Sequence, residues 1–292
     1  MEKIIVTIPA YNEEKTIGRV VKDISCVLKK YPRSKIQVFD DGSRDSTAQR
    51  AKDAGARVIS NHTNLGLART FQLEIAECVR SGADIIVHTD ADGQYRADDI
   101  PKLIEMVRSG YDLVLGNRFS GGIERMHWLK RLGNLSFTVL VSLLSQKHIG
   151  DAQTGFRAFT RAVAISCPIT SNYTYTQEQI LKTSWSGFLI GEVPTQFSSR
   201  IDESRLIKNP FHYAMNVSIN LIRLLRDYSP MKFFSLGSGM CIIISLFLLS
   251  LWHVSSSVDT STLFAVFSGI FFLLALQLFL IGLLSDMFRK TV

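Results

Sequence analysis

"DIIVHTDADGQ", residues 84–94, carries an unbroken β-favouring run into two acids one residue apart. Ile85, Ile86 and Val87 read as a strand covered on both faces, and the polar residues after them mark where the chain leaves the sheet. Asp90 and Asp92 so close together at a sheet edge repel each other unless a cation sits between them. The stretch therefore predicts both a strand and a site.

Upstream and downstream the pattern repeats. Strand-like runs "KIIVTIPA", "KIQVFDD", "ARVIS" and "DLVLGN" alternate with helical patterns such as "TIGRVVKDISCVLKKY", "LARTFQLEIAECVRSG" and "IPKLIEMVRSG". Gly55, Gly82 and Gly110 each follow a helical pattern as C-terminal caps. Asp98 and Asp99 stand before Ile100-Pro101, where acids meet a helix N-terminus and proline suits the first turn. The alternation predicts a mostly parallel, doubly wound α/β sheet, whose ligands gather at the carboxyl ends of the strands. "PAYNEE", "DDGSRDST", "DADGQ" and "GNRF" all fall at those ends. Taken singly, Asn12 or Ser43 reads equally as a helix cap and "DDGS" as a turn.

The chain has 292 residues, with 33 Lys and Arg against 26 Asp and Glu, a net charge of +7. Nucleic acid is not an expected partner, because the basic residues are dispersed and no aromatic-and-basic cluster accompanies them. The four cysteines lie far apart with no CxxC spacing, which argues against a zinc knuckle or a disulfide framework and predicts buried free thiols. The apolar start "IIVTIPA" is shorter than a signal-peptide core and reads as the first strand.

The other end differs. Residues 233–252 and 263–285 carry no charge, and each is about the ~20 residues that cross a bilayer as a helix. "RLLRDYSPMK" before and "MFRK" after are basic, whereas the connecting "HVSSSVDTST" has no Lys or Arg, which puts both basic flanks in the cytoplasm. The expected organisation is a cytoplasmic domain over 1–207, a juxtamembrane amphipathic segment over 208–231 and a membrane hairpin over 232–292. The middle segment either lies along the headgroups or packs on the soluble domain.

Chemistry narrows the ligand. There is no GxGxxG after the first strand and no GxxxxGK[ST] anywhere, so neither glycine loop for a nucleotide is present. A diphosphate beside an Asp-x-Asp needs a divalent ion to bridge like charges, and oxygen donors suit Mg²⁺ or Mn²⁺. A nucleotide sugar meets all three conditions.

With "IPAYNEE", "DDGSRDST", "DADGQ", "GNRF", "DAQTGFRAF", "EVPTQF" and "RIDESRL" in this order and spacing, the chain resembles family 2 glycosyltransferases of GT-A fold. Within them it is similar to polyprenyl-phosphate glycosyltransferases related to dolichyl-phosphate mannose and glucose synthases. The resemblance implies inverting transfer of a hexose from a nucleotide-diphosphate sugar, of UDP-glucose or GDP-mannose type, to a dolichyl or undecaprenyl phosphate. It implies that Pro9, Tyr11 and Glu13 form the first nucleotide-binding loop, with Tyr11 stacking on the base. Phe39 and Asp41 correspond to the segment lining base and ribose. Asp90, Ala91 and Asp92 correspond to the Asp-x-Asp, with Asp92 and Gln94 as metal ligands and Asp90 nearer the sugar or ribose. Arg118 corresponds to a position that pairs with the donor or the acceptor phosphate and, with Asp90 and Asp92, belongs to the implied catalytic set; Arg200 and Arg205 correspond to the stretch that closes over the diphosphate. Arg131 and Ser136 correspond to the acceptor-phosphate site, with Arg131 snorkelling to headgroups as the alternative. Self-association into a homo-oligomer is a further implication.

Several residues keep two readings. Asp151 either orients a sugar hydroxyl or pairs with Arg157, and Glu178 is placed similarly. His88, in the strand before the acids, is a core group rather than a base. "RIDESR" is one residue shorter than the usual "RxxGESK" and lacks its glycine, so Lys208 is an alternative to Arg205, and "NLGLART" departs from the glycine-rich pattern. A polysaccharide synthase is disfavoured by the absence of QxxRW. A transferase with another membrane-associated acceptor, or a non-catalytic membrane-anchored scaffold, is the remaining alternative.

Overall fold

The computed structural model describes residues 2–124, 128–171, 175–199, 210–255 and 258–289. The chain forms two compact units, Met1–Ser218 and Ile219–Val292.

The first unit is built on seven strands: β1 (Ile4–Ala10), β2 (Ser34–Asp40), β3 (Arg57–Ser60), β4 (Ile85–His88), β5 (Leu113–Asn117), β6 (Arg157–Thr160) and β7 (Ile190–Pro194). Their spatial order is β3-β2-β1-β4-β6-β5-β7. β6 runs antiparallel to both β4 and β5, and every other pairing is parallel. The register sets Ile8 beside Val38 and Thr7 beside His88, so β1, β2 and β4 end along one edge. β6 and β7 lie outside the expected strands. Their runs, "RAFT" and "IGEVP", are short and carry Arg157 and Glu192.

The two faces of the sheet differ chemically. On one, Ile4, Val6, Ile8, Val38, Val87 and Val114 pack against α1 (Ile17–Leu28) and α4 (Ile100–Arg108). Each fully buried aliphatic side chain there contributes about 1.5–3 kcal/mol. The other face holds a buried polar seam against α3 (Leu67–Arg80). Thr7 Oγ1 donates to Glu74 Oε2 at 3.0 Å, and Gln37 Nε2 donates to Glu74 O at 3.2 Å. The expected caps are present, since Gly55, Gly82 and Gly110 all have positive φ. A 3-10 turn, Ala97–Asp99, leads into α4 with proline in the first turn. The remaining helices of this unit are α2 (Thr47–Asp53), α5 (Arg118–Gly121), α6 (Trp128–Ser145), α7 (Arg161–Ser166) and α8 (Thr176–Trp185). α9 (Pro210–Tyr228) carries the boundary between the units.

The second unit pairs α10 (Pro230–Val254) with α11 (Val258–Arg289). Both are long and apolar enough to cross a membrane, with mean hydropathy 2.1 and 2.5. They pack antiparallel through small residues. Ser238 Oγ donates to Ala275 O at 2.8 Å, and Ser245 and Ser268 each donate from Oγ to the other's carbonyl at 2.9 Å. Such bonds replace water where lipid offers no partner.

All four cysteines are free; Cys78 and Cys167 are buried, whereas Cys26 is exposed on α1 and Cys241 is half-buried on α10. The expectation that all four would be buried fails at Cys26, on the outward stripe of an amphipathic helix, and is met only in part at Cys241.

Candidate active site

Two loops form the first wall. After β1, the chain turns through Asn12, whose φ of 54° is a left-handed conformation asparagine tolerates. That turn is stapled to the loop after β2. Asn12 N donates to Ser43 Oγ at 2.9 Å, Asn12 Oδ1 accepts from Arg44 N at 2.8 Å, and Glu13 N donates to Thr47 Oγ1 at 2.8 Å. Asn12 and Ser43 are thus loop-to-loop struts rather than helix caps. Thr47 also donates to Asp45, and although burial raises the Asp45 carboxyl, these donors hold it below the usual range. Gly42, at φ 74°, lets this loop touch the next one, where a Cβ would stand 2.7 Å from the Thr63 carbonyl carbon.

Asp41 supplies the second wall by anchoring that next loop. Its Oδ1 accepts from Asn61 Nδ2 and Leu65 N, and its Oδ2 from Gly66 N, all at 2.9 Å. Between the walls lies a cavity of about 400 Å³ lined by Pro9, Tyr11, Glu13, Asp41, Asp90, Ala91 and Asp92 together with Asn64, Gly66, Leu67 and Thr70. Seven of the expected site residues therefore converge. Phe39 does not; it is 3% exposed within β2 and absent from the lining. Asn64, Gly66, Leu67 and Thr70 were not among the candidates, although a glycine just before an apolar helical pattern in "NLGLART" was the available signal.

The acid loop is held from behind. Gln94 N donates to Asp92 Oδ1 at 3.0 Å, and Gln94 Nε2 donates to Ser198 O at 2.9 Å. That leaves Gln94 Oε1 as the atom able to meet a cation. Asp90 lies against Gly155, where a Cβ would stand 2.9 Å from each carboxylate oxygen. A cradle of this size requires glycine. Among the described residues no cluster of three or more His, Cys, Asp or Glu forms a closed metal cage. The carboxylate of Asp92 and the free Oε1 of Gln94 are oxygen donors on one open loop, the donor chemistry that suits Mg²⁺ or Mn²⁺ completed by phosphate and water.

Behind Gly155 the polar seam ends in His88, which is fully buried. Its Nδ1 lies 2.8 Å from Gly155 O and so carries a proton, while Nε2 lies 2.9 Å from Glu74 Oε1. Burial pushes the Glu74 carboxyl up, and the Glu74 charge, working against burial, holds the His88 imidazole up. His88 is a core group, as the sequence suggested. Burial, reinforced by the Asp90 charge, pushes Tyr95 up to about 12, so its hydroxyl stays neutral to accept from Gly155 N at 3.1 Å.

Arg118, at the end of β5, is 5% exposed. It donates from Nε to Asp151 Oδ2 at 2.6 Å and from Nη2 to Oδ1 at 2.9 Å. Burial works against its charge, while the paired Asp151 carboxylate and the Asp90 charge hold its pKa up. Asp151 thus pairs with Arg118 and not with Arg157. Arg157 instead donates to Gln179 Oε1 at 3.0 Å and to the Thr176 and Thr154 carbonyls. Glu192, on β7, fixes the loop bearing Asp151 by accepting from Gly150 N at 2.8 Å and Asn117 Nδ2 at 2.9 Å. Glu178 lies apart, in a buried pair with Lys182 at 2.6 Å that also ties down Thr170 and Ser171.

Arg131 and Ser136 are exposed on α6. Ser136 Oγ donates to Leu132 O of its own helix at 2.9 Å, and five residues place the two side chains about 140° apart around the axis. Arg200, Arg205 and Lys208 lie outside the described residues. A larger cavity, about 570 Å³, lies between α1 and the back of the acid loop, with Arg19, Asp23, Gly93 and Arg96 in its walls. Its lining mixes both signs of charge and includes neither Asp90 nor Asp92.

A mixed, mostly parallel sheet with an Asp-x-Asp at the strand ends defines a GT-A-like glycosyltransferase. Residues 5–166 match the model of "Glycosyl transferase family 2", and the chain belongs to that family. It is 31% identical over 223 residues to the dolichyl-phosphate hexose transferase of Haloferax volcanii, covering 76% of this chain and 94% of that one. It is 27% identical to the undecaprenyl-phosphate mannosyltransferase of Micrococcus luteus, covering 70% and 87%. Among solved structures, glucosyl-3-phosphoglycerate synthase of Mycobacterium tuberculosis with Mn²⁺, UDP and glucosyl-3-phosphoglycerate superposes with a TM-score of 0.60 at 22% identity, covering 76% and 80%. The same enzyme is also seen with Mg²⁺ and UDP.

Proposed function

We propose that this glycosyltransferase moves a hexose, with inversion, from a nucleotide-diphosphate sugar of UDP-glucose or GDP-mannose type to a polyprenyl phosphate, dolichyl or undecaprenyl, at the cytoplasmic membrane face. The observation that carries the reading is the gathering of Asp90, Asp92, Tyr11, Glu13 and Asp41 around one cavity, in a chain with two membrane-length helices. The prenyl-phosphate transferases among its relatives support the acceptor class. The basic flanks of the hairpin support the orientation.

In this reading Pro9, Tyr11, Glu13 and Asp41 seat the nucleoside, and Asp90 faces the sugar or ribose. Asp92 and Gln94 would hold Mg²⁺ or Mn²⁺, whose charge offsets that of the departing diphosphate. By sequence position Arg200 and Arg205 add cationic donors to the same group. On the acceptor side, α6 turns Trp128, Leu132, Leu135, Val139 and Leu143 outward as an apolar stripe with Arg131 beside it, a surface suited to the lipid. Arg118 and Arg131 would meet the acceptor phosphate. Arg118 Nη1 bears no hydrogen bond among the described residues, because Asp151 occupies only Nε and Nη2.

No general base is required. An alcohol acceptor has to lose a proton as it attacks, whereas a lipid phosphate already carries a nucleophilic oxygen anion near neutral pH. Alignment and charge balance then do the catalytic work, which agrees with the burial of His88. The test uses the full chain in lipid nanodiscs with a polyprenyl phosphate, Mg²⁺ or Mn²⁺, and labelled UDP- and GDP-sugars. Label entering the organic phase from one donor, with the opposite anomeric configuration in the product, supports the reading. No transfer from any donor, with the protein folded, would overturn it.

A further inference from the structure

The outward face of α11 has a polar residue in the wrong solvent. Ser268 and Ala275 hydrogen-bond α10, and Gly282 stands against Phe234, so these positions mark the inner face of the hairpin. Gln277 is two residues beyond Ala275, about 200° around the helix, and it is exposed. Eight residues separate it from Ser285, the last uncharged position, so it lies about 12 Å inside the apolar span. It makes no hydrogen bond among the described residues, and a carboxamide facing hydrocarbon has no water to satisfy it.

The neighbours of Gln277 supply the second observation. Val266, Ile270, Leu273, Leu280 and Leu284 are all outward, 49% to 59% exposed. With Gln277 they are spaced 4, 3, 4, 3 and 4 residues apart, the seam spacing of two parallel helices, with Gln277 at its centre. A single polar residue in such a seam fixes register and the number of strands.

We infer that α11 pairs with α11 of a second copy of this chain, through that seam, with the two Gln277 side chains in reciprocal hydrogen bonds. The occupant follows from symmetry. Copies of one chain insert with one orientation, so their α11 helices run parallel and Gln277 recurs at the same depth in each. A carboxamide is self-complementary, so Nε2–H of one meets Oε1 of the other in both directions. Any other membrane helix would need its own polar group at that depth. The inference rests on membrane insertion of the hairpin, not on the identity of donor or acceptor.

The test uses the full chain in phosphatidylcholine vesicles with Cys26→Ser and Cys241→Ser as background. Single cysteines replace Leu273 or Leu280 on the seam, or Phe272, which is 58% exposed but about 140° from Gln277. Mild oxidation should give covalent dimers at 273 and 280 and not at 272. Gln277→Leu should weaken association about tenfold, the scale of one interhelical polar contact in lipid, and Gln277→Asn should retain it. Carbonate-resistant retention of every variant shows that the hairpin is inserted. Equal cross-linking at 272 and on the seam, or unchanged association in Gln277→Leu, would overturn the inference. Extraction of the unsubstituted chain by carbonate would overturn the membrane reading and the inference with it, whatever the transferase assay shows.

Discussion

Replacing Asp151 by asparagine should destabilise the first unit more than any exposed charge change. The guanidinium of Arg118 is 5% exposed and donates to Asp151 from Nε and Nη2 at 2.6 and 2.9 Å. Asparagine keeps one acceptor oxygen but removes the opposing charge and points an N–H₂ at a donor. Leaving one member of a buried ion pair without its partner costs about 3–5 kcal/mol, and the retained acceptor places the expected loss near ~3 kcal/mol. For a unit of 218 residues, that corresponds to a fall of about 6–12 °C in Tm. Thermal unfolding of the full chain in detergent, followed by near-UV circular dichroism, reads it. The double variant Arg118→Met/Asp151→Leu removes both charges and should recover most of the lost stability, while transfer stays low because the cation proposed to meet the acceptor phosphate is gone. A shift below about 2 °C for Asp151→Asn, or a double variant no more stable than the single one, would refute the reasoning. Full transfer by the double variant would remove Arg118 from the catalytic account.

Other consequences are equally direct. Gly155→Ala would press a methyl group into the Asp90 carboxylate, where the Cβ would stand 2.9 Å from each oxygen; transfer should fall about 10²-fold with the far-UV spectrum unchanged. Asp41→Ala frees Asn61 Nδ2, Leu65 N and Gly66 N, so KM for the donor should rise while KM for the acceptor holds, measured in paired titrations. Glu178 has its pKa lowered: burial raises it, but Lys182 and the Thr170 and Ser171 amides outweigh that. Its stabilisation is therefore complete above the ordinary carboxylate pKa and is lost as pH falls through the lower folded value. Glu178→Gln should accordingly destabilise at neutral pH and flatten the acid limb of a Tm-against-pH curve.

Much of this architecture was legible because it rests on local pattern. β1, β4 and β5 are mostly aliphatic runs, β2 and β3 keep two or more aliphatic positions each, and three glycines mark helix ends that only a residue without Cβ enters easily. β6 and β7 were not legible. Their few residues include Arg157, which bonds Thr176 and Gln179, and Glu192, which bonds Gly150 and Asn117, so no apolar run announces them. The choice of partner for Asp151 has the same origin. Arg118 and Arg157 are both plausible by charge, and only the order β6-β5-β7, which sets Glu192 against Gly150 and Asn117, brings Asp151 onto Arg118. The cavity was legible in its acids and first loop. Asn64, Gly66, Leu67 and Thr70 join it because Asp41 draws their loop in through the main-chain amides of Leu65 and Gly66, contacts that only the glycine of "NLGLART" hints at.

The most direct measurement compares a polyprenyl phosphate with the matching polyprenol as acceptors for the full chain, using one labelled donor sugar, Mg²⁺ or Mn²⁺, and Asp92→Ala as control. The account predicts transfer to the phosphate alone, lost in Asp92→Ala, because the proposed reaction sets Arg118 and Arg131 against an anionic nucleophile and assigns no group to deprotonate an alcohol. Comparable transfer to the polyprenol, or transfer to the phosphate undiminished in Asp92→Ala, would contradict it.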